Sequence, residues 1–101
     1  MLQITKEQIG DHLTLALDGR LDRSTAADFE ARINDLLDGV SKLTLDFSKL
    51  EYISSAGLRV VLSIQKKMKN TNDVLIKGAS SEIRDIFEMT GFSRILNVSW
   101  L

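Results

Sequence analysis

The spacing of apolar residues in this chain alternates between two regimes, and each switch marks a change of secondary structure. Side chains recur every second residue on one face of a strand and about every 3.6 residues on one face of a helix. Leu2 and Ile4, then Leu13, Leu15 and Leu17 beyond a turn at Gly10-Asp11, follow the strand period up to Asp18-Gly19 and read as a hairpin. Phe29, Ile33, Leu36, Leu37 and Val40 follow the helix period, with Ser24 or Thr25 as the expected cap and Asp28 in the first turn. Asp38-Gly39 is the stop signal for that helix.

Leu43, Leu45 and Phe47 restore the strand period, and residues 56–69 return to the helix period. Leu58, Val61, Leu62 and Met68 make one apolar stripe there, widened by Val60 and Ile64. After a polar break at 70–73, Val74-Leu75-Ile76 reads as a short strand. Ser80 or Ser81 then starts a helix carrying Ile83, Ile86, Phe87 and Met89, stopped by Gly91, and Leu96, Val98 and Trp100 alternate as an edge strand. The order β-β-α-β-α-β-α-β predicts an α/β fold with a mixed sheet of four to five strands, parallel wherever a helix joins consecutive strands. Because the strands alternate instead of running apolar throughout, the helices are expected mainly on one face.

A length of 101 residues argues for one domain over 1–101. The 13 basic and 14 acidic residues nearly balance, which speaks against nucleic-acid binding, whose usual footprint is a basic face. No apolar run approaches the roughly 18 residues of a membrane span, and the N-terminus alternates and carries Glu7, unlike a secretion signal. Cysteine is absent, which suits a reducing compartment. A soluble, cytoplasmic protein is therefore expected.

Catalysis requires a nucleophile or an acid–base pair in a usable constellation. The single histidine, His12, lies beside the first turn, and Ile53-Ser54-Ser55-Ala56-Gly57 lacks the first glycine of a serine-hydrolase elbow. No phosphate-cradling glycine loop and no metal-ligand spacing is present, so no catalytic residue, metal or cofactor is expected. The informative junction is Ser54-Ser55-Ala56-Gly57-Leu58-Arg59, where a strand gives way to an apolar helix. A serine at a helix start sits where backbone N–H groups and the dipole favour an anion. A phosphate there would add about −1.5 to −2 charges, compatible with the fold but hostile to a partner docked over the helix end. Ser54 and Ser55 can equally be plain helix caps, and position alone leaves both readings open, as it does for Ser24, Thr25, Ser80 and Ser81.

The segment Leu45-Asp46-Phe47-Ser48-Lys49-Leu50-Glu51-Tyr52-Ile53-Ser54-Ser55-Ala56-Gly57-Leu58-Arg59-Val60-Val61-Leu62 closely resembles the signature of the STAS domain, the anti-sigma factor antagonist family. Gly19-Arg20-Leu21-Asp22 with Thr25-Ala26 upstream, and Lys77-Gly78 with Ile83-Arg84-Asp85-Ile86-Phe87-Glu88-Met89-Thr90-Gly91-Phe92 downstream, extend the similarity over nearly the whole chain. The resemblance implies a STAS-type mixed sheet with helices on one side and a non-enzymatic signalling role. It implies binding to an anti-sigma factor serine kinase, inactivation by phosphorylation at Ser55, and reactivation by a PP2C-type phosphatase. It also implies a monomer when free and no insertion into a membrane. The implied partner surface comprises Asp22, Arg23, Ser24, Thr25, Ser54, Ser55, Ala56, Gly57 and Arg59, with Ser54 as the alternative acceptor.

The chain departs from the family pattern at three places: Ser54 where many phosphorylated antagonists have Asp, Ala56 in place of a second hydroxyl residue, and Arg59 where several have Gly. The missing Asp points to a second role, an unmodified scaffold or accessory subunit of a lipid-transport ABC complex or a stress-sensing assembly. Val60 and Ile64 are expected near the edge of the apolar stripe and Arg59 in solvent. Asp22 reads equally as a turn residue or a contact, and Trp100 as a tether for the chain end. Lys66, Lys67 and Lys69 read as a solvated helix end matched to the dipole.

Overall fold

The computed structural model describes residues 2–68 and 74–91, and the backbone alone of 99–100. Two strands open the chain, β1 (Leu2–Ile9) and β2 (His12–Leu21), followed by α1 (Arg23–Leu36), β3 (Lys42–Ile53), α2 (Ser55–Lys67), β4 (Val74–Lys77), α3 (Ser81–Met89) and β5 (Ser99–Trp100). The strands lie in one sheet in the order β1-β2-β3-β4-β5. β1 pairs antiparallel with β2, and β2, β3, β4 and β5 run parallel to one another. The order advances in one direction and each parallel step is a helical crossover. Right-handed crossovers then put all three helices on the same face.

The burial pattern follows from that arrangement. Leu13, Leu15 and Leu17 of β2 and Leu43, Leu45 and Phe47 of β3 point under the helices and are buried. Phe29 and Ile33 of α1, Leu58, Val61 and Ile64 of α2, and Ile83 and Phe87 of α3 close over them in one cluster. α1 and α2 also pack on each other, so α2 is covered by the sheet and by its neighbour.

Several expectations are corrected here. Val60 and Ile64 lie in the core and are not at an exposed stripe edge, being 4% and 0% exposed, because the second contact with α1 widens the buried arc of α2. Ser24 and Thr25 do not cap α1; Asp22 does, which moves the helix start upstream and leaves Asp28 outside a first turn that contains no acid. Val40 lies beyond α1, which ends at its C-cap Leu37 before Gly39 at φ +74°, a backbone region that glycine reaches without a Cβ clash. Met89 projects into solvent at 85% exposure, off the face that buries Ile83 and Phe87.

β3 does not stop at Phe47 but continues to Ile53, and β2 continues past Gly19 to Leu21. Two register irregularities between these strands, at Ala16/Asp18 and at Gly19/Arg20, carry the pairing onward while breaking the alternation. The polar break at 70–73 and Lys69, Leu96 and Val98 lie outside the described residues, as does the side chain of Trp100.

Candidate functional site

The extended pairing of β2 with β3 builds the site. The strands are adjacent and parallel, and each passes directly into a helix, so α1 and α2 begin side by side at one edge of the sheet. The Ser54 N–H donates to the Leu21 carbonyl at 2.9 Å and fixes where β3 ends relative to β2. Gly57 brings α2 against the same strand end. A Cβ there would lie 2.8 Å from the Leu21 carbonyl oxygen and 2.9 Å from Ile53 Cγ1, too close for any larger residue without a backbone shift.

The start of α1 is closed on itself. The Asp22 carboxylate accepts from the Ser24 N–H at 3.0 Å, the Thr25 N–H at 3.2 Å and the Ser24 hydroxyl at 2.7 Å. The Asp22 N–H donates in return to Thr25 Oγ1 at 3.0 Å, completing a capping box, and the Thr25 hydroxyl donates to the Arg20 carbonyl at 2.9 Å. The Ser24 hydroxyl, joined by the backbone N–H groups of Thr25 and Ser24 and by the Thr25 hydroxyl, outweighs desolvation and holds the Asp22 carboxyl below its ordinary 3.8. Arg20 Nε lies 3.8 Å from Asp22 Oδ2, and its guanidinium stands 4.5 Å from the centre of the Tyr52 ring.

The start of α2 is more open. Ser54 is the N-cap, and its hydroxyl oxygen accepts from the Gly57 N–H at 3.3 Å. Ser55 follows as the first helical residue with an exposed side chain, and the first turn holds no acid. Ala56 is half-buried against the core, Leu58 is buried, and Arg59 is exposed one turn after Ser55.

The nine residues expected at the partner surface thus gather at the two neighbouring helix starts. Asp22 and Thr25 are half-buried there and occupied in capping, Arg23 and Ser24 are exposed, and Gly57 is buried as a packing residue. Arg20 and Tyr52 were given no role by the sequence. They meet only because the register irregularities place them opposite each other, a relation that no spacing along the chain reveals. His12 lies at the far end of β2, about 30 Å of strand away, and pairs with Thr44 Oγ1 at 2.8 Å. A hollow of about 450 Å³ lined by Asp11, Leu37, Val40, Ser41, Lys67 and Met68 is also at that far end, where α1 and α2 finish. Among the described residues, no helix is long and apolar enough to cross a membrane.

Such an architecture, a mixed sheet with helices on one face and a helix start presented at its edge, defines a class of small α/β folds. The family model described as STAS domain matches residues 3–100, and the chain belongs to that family. BtrV of Bordetella bronchiseptica, assigned as an anti-sigma factor antagonist, is 32% identical over 100 residues, covering 97% of this chain and 86% of its own. The crystal structure of an anti-sigma factor antagonist from Mycobacterium paratuberculosis superposes with a TM-score of 0.85 at 19% identity, covering 97% of this chain and 85% of that one. The phosphorylated form of the Bacillus cell fate determinant SpoIIAA gives a TM-score of 0.72 at 17% identity, with 98% and 91% covered. At those identities the two structures speak to the fold.

Proposed function

We propose that this chain is an anti-sigma factor antagonist that binds a serine-kinase anti-sigma factor over the start of α2 and is released when Ser55 is phosphorylated. The observation that carries this reading is the division of labour between two serines. Ser54 spends its hydroxyl on the cap, whereas Ser55 presents an exposed side chain at the first residue of the helix. In the transfer, the Ser55 oxygen bonds to the γ-phosphorus of ATP as the bond to the bridging oxygen breaks. The serine proton leaves and ADP departs. The helix end tolerates the new anion, while a docked partner meets its charge and hydration. A PP2C-type phosphatase hydrolyses the ester and restores the binding form. The chain itself acts in the cytoplasm as a monomeric binding protein in transcriptional control, with no reaction of its own. The names of its relatives and its family membership support this reading.

The test is mass spectrometry after incubation with the co-purified anti-sigma kinase and ATP, alongside binding by Ser55→Ala and Ser55→Asp. Modification at Ser55, with binding kept by the first variant and lost by the second, is expected. An unmodified chain, or equal binding by both variants, overturns the reading. The neutral Ser54 cap, standing where many phosphorylated antagonists have Asp, favours one second reading, an unmodified scaffold or accessory subunit. Co-purification with an ABC-type ATPase in place of a kinase would mark it.

A further inference from the structure

Ser55 and Arg59 are separated by one helical turn, and both are exposed while Gly57 and Leu58 between them are buried. They therefore share the solvent ridge of α2. Residues four apart on such a ridge have Cβ atoms about 5–6 Å apart, and an anion N-terminal to a cation is the favoured order. Helical side chains also lean toward the N-terminus, which gives the long arm of Arg59 a route back to the turn that carries Ser55. Among the described residues Arg59 makes no ion pair. The neighbouring cation Arg20 is engaged by Asp22 and Tyr52, and the Asp22 carboxylate is tied into its own capping box.

We infer that phosphate on Ser55 is captured by Arg59 of the same helix, so that the modification withdraws a cation from the docking surface as well as adding an anion to it. The inference rests on the reading of Ser55 as the acceptor. It gives Arg59, which stands where several family members have Gly, a task in the inactive state: a neutralised surface pair replaces an exposed positive side chain that a partner would grip. The charged groups gathered at the neighbouring helix starts are Arg59 on α2, Arg20 at the end of β2, and Asp22 and Arg23 at the start of α1. Asp22 opposes the anion, and Arg23, exposed at the first residue of α1, is the competing cation.

The experiment installs phosphoserine at position 55 during synthesis, so that no kinase is needed, and follows the second phosphate ionisation by phosphorus NMR. The phosphoprotein is expected to titrate about 0.3 pH unit or more below the same phosphoprotein carrying Arg59→Gln. Arg59→Lys should retain most of the shift, Arg23→Gln should leave it in place, and 1 M salt should shrink it. The field of α2 is present in every variant, so the difference isolates the side chain. Equal midpoints for the parent and Arg59→Gln overturn the inference, as does a shift that follows Arg23 instead. Circular dichroism checks that each variant is folded, which an exposed position favours. Failure of a kinase to modify Ser55 would count against the proposed function and leave this titration unaffected, so the two ideas fail separately.

Discussion

Two helices begin side by side at the same edge of the sheet, and their first turns are built from opposite materials. α1 begins with a carboxylate that takes up two N–H groups and a hydroxyl, with a reciprocal bond from its own backbone. α2 begins with a neutral serine that accepts one bond at 3.3 Å. α3 adds a third variant, capped by Ser80 with Glu82 in its first turn. The positive end of a helix is partly neutralised by an anion placed there, which is the state of α1. The start of α2 carries no such anion and displays a hydroxyl beside it. One start carries its anion as folded, and the other carries none.

The firmest attack on this comparison is to dislodge α2 while leaving α1 in place. Gly57→Val puts branched carbons where even a Cβ would lie 2.8 Å from a backbone oxygen of β2. We expect a loss of roughly 2–3 kcal/mol in urea denaturation, the scale of overpacking in a rigid site. Partner binding should fall with it, because the Ser55 turn moves. Unchanged stability would mean that α2 is not seated against Leu21 as described.

A second attack removes the charge from the cap of α1. Asp22→Asn keeps the shape of the side chain and removes the ion, and the urea midpoint at pH 7 should fall. The pH dependence carries the sharper signature. The folded-state Asp22 carboxyl lies below its ordinary 3.8, so its stabilisation is complete above that value and is lost as the pH falls through the lower folded value. The difference in stability between parent and Asp22→Asn should therefore vanish in strong acid. Asp11, held down chiefly by the Ser41 hydroxyl, keeps its own share of the acid transition in both proteins. Asp46 does so too; its desolvation is outweighed by bonds from Ser48 and by the Lys77 and Lys49 charges. A constant difference from pH 7 down to 2 would show that Asp22 caps without its charge.

Ser54→Ala should cost about 1 kcal/mol, the usual worth of a serine cap, with no pH dependence of its own over the same range. The contrast with Asp22 is the point of the pair of experiments. One helix start should be acid-sensitive and the other should not.

Much of this comparison was readable before any coordinates. The alternation of Leu13, Leu15 and Leu17 and of Leu43, Leu45 and Phe47 gave the two central strands, because period two survives wherever a sheet has one buried face. Leu58 and Val61 marked the buried side of α2, and the serine pair marked its beginning. What failed had a physical cause in each case. The continuation of β3 through residues 48–53 was hidden by two register irregularities, which break the alternation that identifies strands. The cap of α1 was misplaced because Asp22, Ser24 and Thr25 are all capping residues within four positions, and only the backbone decides among them. The depth of Val60 and Ile64 depends on α1 lying against α2, a tertiary contact that one helix's own pattern cannot contain. The Arg20–Tyr52 contact joins different strands through their register, so it has no signature along the chain.

The smallest expected effect is also the one that separates the adjacent serines. Ser55→Ala removes an exposed hydroxyl that accepts no capping bond, at a helical position where alanine is the better helix former. Its stability should stay within about 0.5 kcal/mol of the parent, as surface substitutions usually do. Ser54→Ala, one residue earlier, removes the acceptor for the Gly57 N–H and should register clearly in the same assay. If the two variants lost equal stability, the Ser55 hydroxyl would be part of the cap, and a phosphate could be added there only by dismantling the helix start. A silent Ser55→Ala beside a costly Ser54→Ala means instead that the fold has left this hydroxyl structurally unused, which is the condition a reversible modification requires.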